Sequence, residues 1–303
     1  MPFHSANSSK PRAKRAGAAN SRAVGLRRVL RPAAIPLRPV GGQKGLFGRV
    51  LIVGGSEDMI GAPVLAGAAA LRCGSGLVQI AMPRDVLVAA LSVVPELIGL
   101  GLKDGDEKKL LEAADKADVL AIGPGMGESK LAGTRIKALT GLDKLMVVDA
   151  DALNYISSLG SWPKWFKARA VLTPHPGEMK RLGKLIRRSE VPADDKGRIE
   201  LAVSAAKAFG QVVLLKGERT VVTDGHRVYV NHSGDSSLSK AGAGDVLSGI
   251  IASLMGQGME RFEAACAGAF MHGKAGEYAG KQLGRRSVLA REVIEAIPQV
   301  IGR

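Results

Sequence analysis

The chain has 303 residues, 46% of them apolar, only 4% aromatic and 39 of them glycine. That is enough for one α/β domain with a sizeable core, packed largely by small residues that let backbone come close to backbone or to a ligand, and no apolar stretch has the length of a membrane span. The net charge of +15 has the sign of a nucleic-acid binder, but 11 of the 43 Lys and Arg precede the first acid, Glu57, and the remaining 32 face 28 acids, so the charge belongs to a tail and nucleic acid is not the expected partner of the folded part.

Residues 1–40 are rich in Ser, Ala, Arg and Pro, lack acids and show no sustained hydrophobic period. They read as a disordered basic tail, although the same composition suits an organelle-targeting peptide. From residue 49 short β-branched runs alternate with helical patterns. RVLIVGG (49–55) reads as a strand ending in a glycine turn, 61–74 as a small-residue helix, and 76–82 as a strand. DVLAIGPGMG (118–127) is a strand running into a glycine loop, and 144–153 a strand ending in acids. ARAVLTPHPGEM (168–179) is a strand and then a proline-stiffened turn. Residues 212–217, 220–225 and 227–232 are closely spaced strands suited to an antiparallel edge, and 245–258, 262–280 and 293–302 are helices. The alternation predicts an α/β fold, a three-layer arrangement with a mostly parallel sheet and helices on both faces, as one catalytic domain over 41–303. Cys73 and Cys266 form neither a CxxC pair nor a metal cluster and read as buried free thiols in a reducing compartment, so a cytoplasmic location is expected.

The strongest chemical signal is SKAGAGDVLSG (239–249). Gly242, Ala243 and Gly244 lead into a helix, whose unpaired N–H groups and dipole make an anion hole for a phosphoryl group. Asp245 beside them is placed to take the proton of an attacking hydroxyl; the plain alternative is an N-cap. No GxxxxGK[ST] loop precedes this helix, so it is not a Walker site. In TPHPGE (173–178), Pro174 and Pro176 stiffen the chain around His175. In VVDADALN (147–154), Asp149 and Asp151 either line the site or cap a helix.

GGSEDMIGAPVLAGAAALRCGSGLV (54–78), IGPGMG (122–127), VVDADALN (147–154), LTPHPGEMKRL (172–182), VLLKGERTVV (213–222) and SKAGAGDVLSG (239–249) occur in this order. Together they resemble the ADP/ATP-dependent NAD(P)H-hydrate dehydratases of the ribokinase-like superfamily, over about residues 41–302. The resemblance implies repair of hydrated NADH and NADPH: the ring hydroxyl is phosphorylated from ADP or ATP, with Mg²⁺, and phosphate is then eliminated. It implies a catalytic Asp245; substrate contacts at Ala62, Gly125, His175 and Asp245; nucleotide contacts at Lys216, Gly217, Glu218, Arg219, Thr220 and Gly244; and a water-mediated Mg²⁺ contact at Glu178, whose alternative is a helix-dipole carboxylate. The family often has Tyr where this chain has Met59. His226, His232 and His272 read as surface or packing residues. Relatives form homo-oligomers, and the same is expected here. Only about 40 residues precede the match, so a separate NAD(P)H-hydrate epimerase is the expected functional companion. The competing readings are a vitamin or sugar kinase of the same fold, and a non-catalytic protein whose tail contacts RNA.

Overall fold

The structure, a computed structural model, describes residues 25–301. Its strands are β1 (Arg27–Val29), β2 (Arg49–Val53), β3 (Leu77–Pro83), β4 (Ile98–Leu102), β5 (Val119–Ile122), β6 (Leu145–Val148), β7 (Arg169–Leu172), β8 (Val212–Leu215), β9 (Val221–Thr223) and β10 (Arg227–Val230). They form one sheet in the order β1-β10-β9-β8-β7-β6-β5-β2-β3-β4. From β8 to β4 all pairings are parallel, while β9 runs antiparallel to both neighbours. The central strands are unbroken Val, Ile, Leu, Met and Ala runs because both of their faces are covered.

The helices are α1 (Gly61–Arg72), α2 (Arg84–Val93), α3 (Glu107–Lys116), α4 (Lys130–Thr140), α5 (Ala150–Ser158), α6 (Pro176–Gly183), α7 (Asp195–Phe209), α8 (Ala243–Gly256), α9 (Arg261–Leu283) and α10 (Ala290–Val300). Residues of α1, α2, α8, α9 and α10 share a core with one face of the sheet, and residues of α3 to α7 share a core with the other. The three layers are therefore those expected. Small residues set the spacing on the first face: a Cβ on Gly249 of α8 would come within 2.0 Å of the Ala66 carbonyl oxygen of α1. Among the described residues no helix is long and apolar enough to cross a membrane.

After β2 the chain builds β3 and β4 on one side and then returns as β5 on the other side of β2. This change of direction opens a crevice at the carboxyl ends of β2 and β5, the usual ligand position in such sheets. The Gly54–Gly55 turn and the Gly123–Gly127 loop meet there, joined by the Gly55 N–H donating to the Pro124 carbonyl at 2.8 Å.

The structure corrects the expectation for the tail in one part. Arg27–Val29 is a strand, paired in parallel with β10 and anchored by the Arg27 N–H donating to the His226 carbonyl at 2.9 Å. The open edge of β10 supplies hydrogen bonds that a polar, non-periodic segment can accept without a hydrophobic pattern of its own. Residues 1–24 of that expected tail lie outside the described residues, as does residue 302 of the last expected helix.

Candidate active site

Five loops at the carboxyl ends of β2, β5, β6, β7 and β8 surround the start of α8, and Asp149 lies at their centre. It follows β6 and stands at the N-cap position of α5, but its side chain makes no capping bond. Its Oδ1 instead accepts from Lys216 Nζ at 2.8 Å, and its Oδ2 accepts from the Ser248 hydroxyl at 2.7 Å. Ala150, the next residue, has φ 48°, a left-handed conformation that a non-glycine residue adopts only at some cost; this turn directs Asp149 inward. Burial alone would push the Asp149 carboxyl up. The Lys216 charge and the hydrogen bonds from Lys216, Ser248 and Thr173 outweigh it and hold the group below its ordinary range. Burial likewise opposes the charge on Lys216, and Asp149, Glu178 and Asp245 together restore it and raise its pKa.

Helix α8 starts at Ala243, with Gly242 as its N-cap in the left-handed region at φ 88°. Asp245 is thus the third residue of the helix and not its cap. Its carboxyl is half-buried and makes no hydrogen bond with any described residue. Desolvation first, then the negative charge of Asp149, push it up to about 7, against the pull of Lys216. Of the three expected anion-hole residues, Ala243 has its N–H already donating to the Lys240 carbonyl at 3.3 Å; further on, the Val246 N–H donates to the Gly242 carbonyl. The N–H groups of Gly242, Gly244 and Asp245 have no described partner, those of Gly244 and Asp245 within the first turn of the helix. A Cβ on Gly244 would lie 3.5 Å from Lys216 Nζ and 4.0 Å from Asp149 Oδ2, so its lack of a side chain keeps that space open.

The turn after β7 presents His175 as the N-cap of α6. His175 Nδ1 accepts from the Gly177 N–H at 2.9 Å, and Glu178 Oε2 accepts from the His175 N–H at 2.7 Å, a reciprocal capping box. Because Nδ1 is an acceptor, the neutral ring carries its proton on Nε2, which lies 3.3 Å from Glu178 Oε1. Burial and the charges of Lys216 and Arg181 lower the His175 pKa, which favours the neutral ring. Burial pushes the Glu178 carboxyl up to about 7 even though Lys216 Nζ is 3.8 Å away.

The KGERT stretch begins where β8 ends. The Lys216 N–H donates to the Pro174 carbonyl at 2.9 Å, which ties this stretch to the His175 turn. Gly217, at φ 156°, lies over Arg198 of α7, whose Nη2 donates to the carbonyls of Leu215 at 3.3 Å and Lys216 at 3.1 Å. Glu218 and Arg219 are exposed, and Arg219 forms an ion pair with Asp195 at the first turn of α7. The Thr220 hydroxyl donates to the Gly217 carbonyl at 3.1 Å and closes the turn.

Gly125 and Ala62 also meet. A Cβ on Gly125, at φ 64°, would come within 2.8 Å of the Met59 carbonyl oxygen and 3.2 Å of Ala62 Cβ. The same loop touches the Asp149 turn, since a Cβ on Gly123 would come within 1.9 Å of the Asp149 carbonyl oxygen. Asp151 accepts from the Gly127 N–H at 2.8 Å and so pins the loop. Lys216, Gly244, Asp245, His175 and Glu178 therefore gather around Asp149, with Gly125 and Ala62 joined to them through the Gly123 turn. The side chains of Glu218 and Arg219 stand apart.

No three His, Cys, Asp or Glu side chains converge as a metal cluster among the described residues. Glu178 Oε2 already serves the capping box and Oε1 lies 3.3 Å from His175 Nε2, so direct ligation would disturb these contacts while contact through water would not. A magnesium ion carried by nucleotide phosphates keeps most of its waters and needs only one or two carboxylates, and that is the form these residues fit.

A family model described as NAD(P)H-hydrate dehydratase matches residues 50–299. The chain belongs to this family. It is 38% identical over 275 residues to the ADP-dependent (S)-NAD(P)H-hydrate dehydratase of Neisseria meningitidis, covering 88% of each chain. It is 40% identical to the bifunctional NAD(P)H-hydrate repair enzyme Nnr of Moorella thermoacetica, covering 88% of this chain and 52% of that one. The chain thus spans about half the length of the bifunctional relatives it matches. Among solved structures, the ADP/ATP-dependent NAD(P)H-hydrate dehydratase of Bacillus subtilis, co-crystallised with ATP/Mg²⁺, superposes with TM-score 0.74 at 30% identity, covering 88% of this chain and 93% of that one. An Arabidopsis thaliana ribokinase at TM-score 0.53 and 11% identity shares the fold.

Sequence reasoning left Asp149 open between capping and lining, and gave no role to Ser248, Thr173 or Arg198. Ser248 lies three residues after Asp245, and helical spacing brings it to the same face, but its partner is 99 positions away. Arg198 lies in α7, in none of the motifs that the sequence singled out. His226 and His232 are exposed and His272 is buried, in keeping with surface and packing roles.

Proposed function

We propose that this chain catalyses the nucleotide-dependent dehydration of hydrated NADH and NADPH. One observation carries the reading: Asp245, with an open carboxyl pushed up to about 7, sits beside two unpartnered helix N–H groups and the Lys216 ammonium. A base, an anion hole and a cation in one place suit transfer of a phosphoryl group to a hydroxyl.

Asp245 takes the proton of the ring hydroxyl as its oxygen attacks the terminal phosphorus of ADP or ATP. The bond from that phosphorus to the bridging oxygen breaks, releasing AMP or ADP. The Gly244 and Asp245 N–H groups and Lys216 hold the transferred group. Asp149 keeps Lys216 charged and aimed, and neutral His175 offers a rigidly held ring beside the substrate. Phosphate then leaves with its electron pair, a ring proton is lost, and the double bond is restored. The KGERT turn carries the nucleotide. Glu178 would reach a magnesium ion through water, and the ion would supply charge neutralisation of the transferred group.

The protein is further read as a cytoplasmic homo-oligomer whose functional companion is an NAD(P)H-hydrate epimerase. Two buried free thiols, Cys73 and Cys266, support a reducing compartment. The test is incubation with hydrated NADH or NADPH and either nucleotide while the absorbance of the reduced nicotinamide is followed. Recovery that requires nucleotide and is lost in Asp245→Asn is the expected result. No recovery with either nucleotide, together with phosphorylation of a vitamin or sugar alcohol, would establish the kinase reading instead.

A further inference from the structure

Residues 231–242 carry the chain from β10 to the start of α8. Apart from one short turn, Ser236–Leu238, they have no regular structure, yet buried backbone groups must still find partners. Asn231, 4% exposed, supplies several of them. Its N–H donates to the carbonyl of Thr220, the last residue of the KGERT turn, at 2.8 Å. Its Nδ2 donates to the carbonyls of Ser233 and Ala269, both at 3.1 Å. Its Oδ1 accepts from the Tyr229 hydroxyl at 3.1 Å and from the Ser233 N–H at 3.3 Å. With two carbonyls on one side of the amide and two donors on the other, only one orientation of the group satisfies them all.

The loop that follows lies along α9. The Ser233 hydroxyl donates to the Phe270 carbonyl at 2.9 Å, the Gly234 N–H to Glu277 at 2.8 Å, and the Ser237 hydroxyl to the Gly276 carbonyl at 2.9 Å. A Cβ on Gly273 would come within 2.2 Å of Ser233 Oγ, so α9 is bare where the loop crosses it. The same stretch of α9 carries His272, whose buried ring reaches the Ala243 backbone at the start of α8. One end of the Asn231 network therefore holds the KGERT turn, and the other leads through α9 to Ala243. These are the two segments read above as holding the nucleotide and the transferred group. Ala62, Gly125 and His175 come from other loops. A buried polar network of this kind fixes one geometry when it is fully paired and loosens when one member is lost.

We infer that Asn231 is a positioning residue: through Thr220, Ser233 and Ala269 it sets the KGERT turn and the start of α8 in register around the nucleotide phosphates. This rests on the function proposed above. Asn231→Asp keeps the shape and the Oδ1 bonds but loses both Nδ2 donors. Calorimetry should show its Kd for ADP or ATP raised about tenfold, the scale of a lost buried hydrogen bond. Its kcat should fall about tenfold as the phosphoryl group moves off line from Asp245, while the KM for the hydrated cofactor stays within twofold. Ser233→Ala removes the tie to Phe270 and should raise the nucleotide Kd about threefold; it decides the matter if Asn231→Asp does not fold. Ser75→Ala is the control for stability alone. It breaks the buried bond between the Ser75 and Ser253 hydroxyls, 2.8 Å apart, at the amino end of β3 and so at the opposite end of the sheet from the site. It should lower Tm and leave the nucleotide Kd within twofold. A Kd unchanged in every folded variant at 231 and 233, or a matching rise in Ser75→Ala, would overturn the assignment. Because Kd is read without turnover, a wild type that binds nucleotide but restores neither hydrate would overturn the dehydratase reading, while the expected Kd pattern would still uphold Asn231.

Discussion

Asp245 and Asp149 stand in one site and are driven in opposite directions. Asp149 is neutralised by Lys216 and two hydroxyls and stays ionised, whereas Asp245 is desolvated beside that negative charge and rises to about 7. A base must be unprotonated to act, so kcat/KM for the hydrated cofactor should climb as pH rises toward about 7 and level off above it. Asp245→Asn should lower kcat about 1,000-fold, within the range of general-base removal. Glu178 is also pushed up to about 7, but Gln can keep its capping bond, so Glu178→Gln should retain the acidic limb. Loss of that limb in Glu178→Gln would move the base assignment away from Asp245. Asp149→Ala leaves the Lys216 ammonium, only 19% exposed, without its main partner, and should cost about 3 kcal/mol, the lower end for a broken buried pair; chemical denaturation measures it.

At the scale of elements, α7 acts as the floor of the nucleotide loop. Arg198 bridges two carbonyls at the end of β8, and Asp195 holds Arg219 from the first turn of the same helix. Gly217 is needed here because a Cβ would come within 2.6 Å of Arg198 Nη2. Arg198→Met removes both bonds and frees the loop. Its KM for ADP or ATP should rise about tenfold, the scale of one lost charge-assisted hydrogen bond, while kcat at saturation stays within threefold. Equal losses in kcat and kcat/KM would show instead that Arg198 supports the transition state alone. Arg198 carried no sequence signal, since its guanidinium meets backbone carbonyls, which every residue possesses.

For the molecule as a whole, the site exists only where five loops and one helix start are held in register by the sheet. Nucleotide binding to the folded form alone should therefore raise the melting temperature with ligand concentration, by the equivalent of about 2.7 kcal/mol at a hundredfold excess over Kd. The N-terminal segment belongs to this scale too. β1 extends the sheet beyond β10, and Val29 packs at the core's margin. Removing residues 1–31 should cost about 1 kcal/mol, or 2–4 °C in Tm for a domain of this size, and leave kcat within twofold. An unchanged Tm would mean that the strand adds nothing to stability.

The amino-acid order by itself determined the alternation of strands and helices, because burial on both faces leaves unbroken apolar runs such as VLAI and VVLL that are visible in any window. It also located the glycine-rich start of α8 and the stiff turn at His175, since both are local devices of a few residues. It missed β4, where Gly99 and Gly101 break the apolar run, as well as α2, α3, α4 and α7. It could not say that β1 would join the sheet, that Asp149 would turn from its capping position toward Lys216, 67 positions away, or that Ser248 would complete that contact. Those outcomes were decided by the tertiary structure. A buried carboxylate goes where its desolvation is best compensated, and the partners that compensate it are brought near only by the folded sheet.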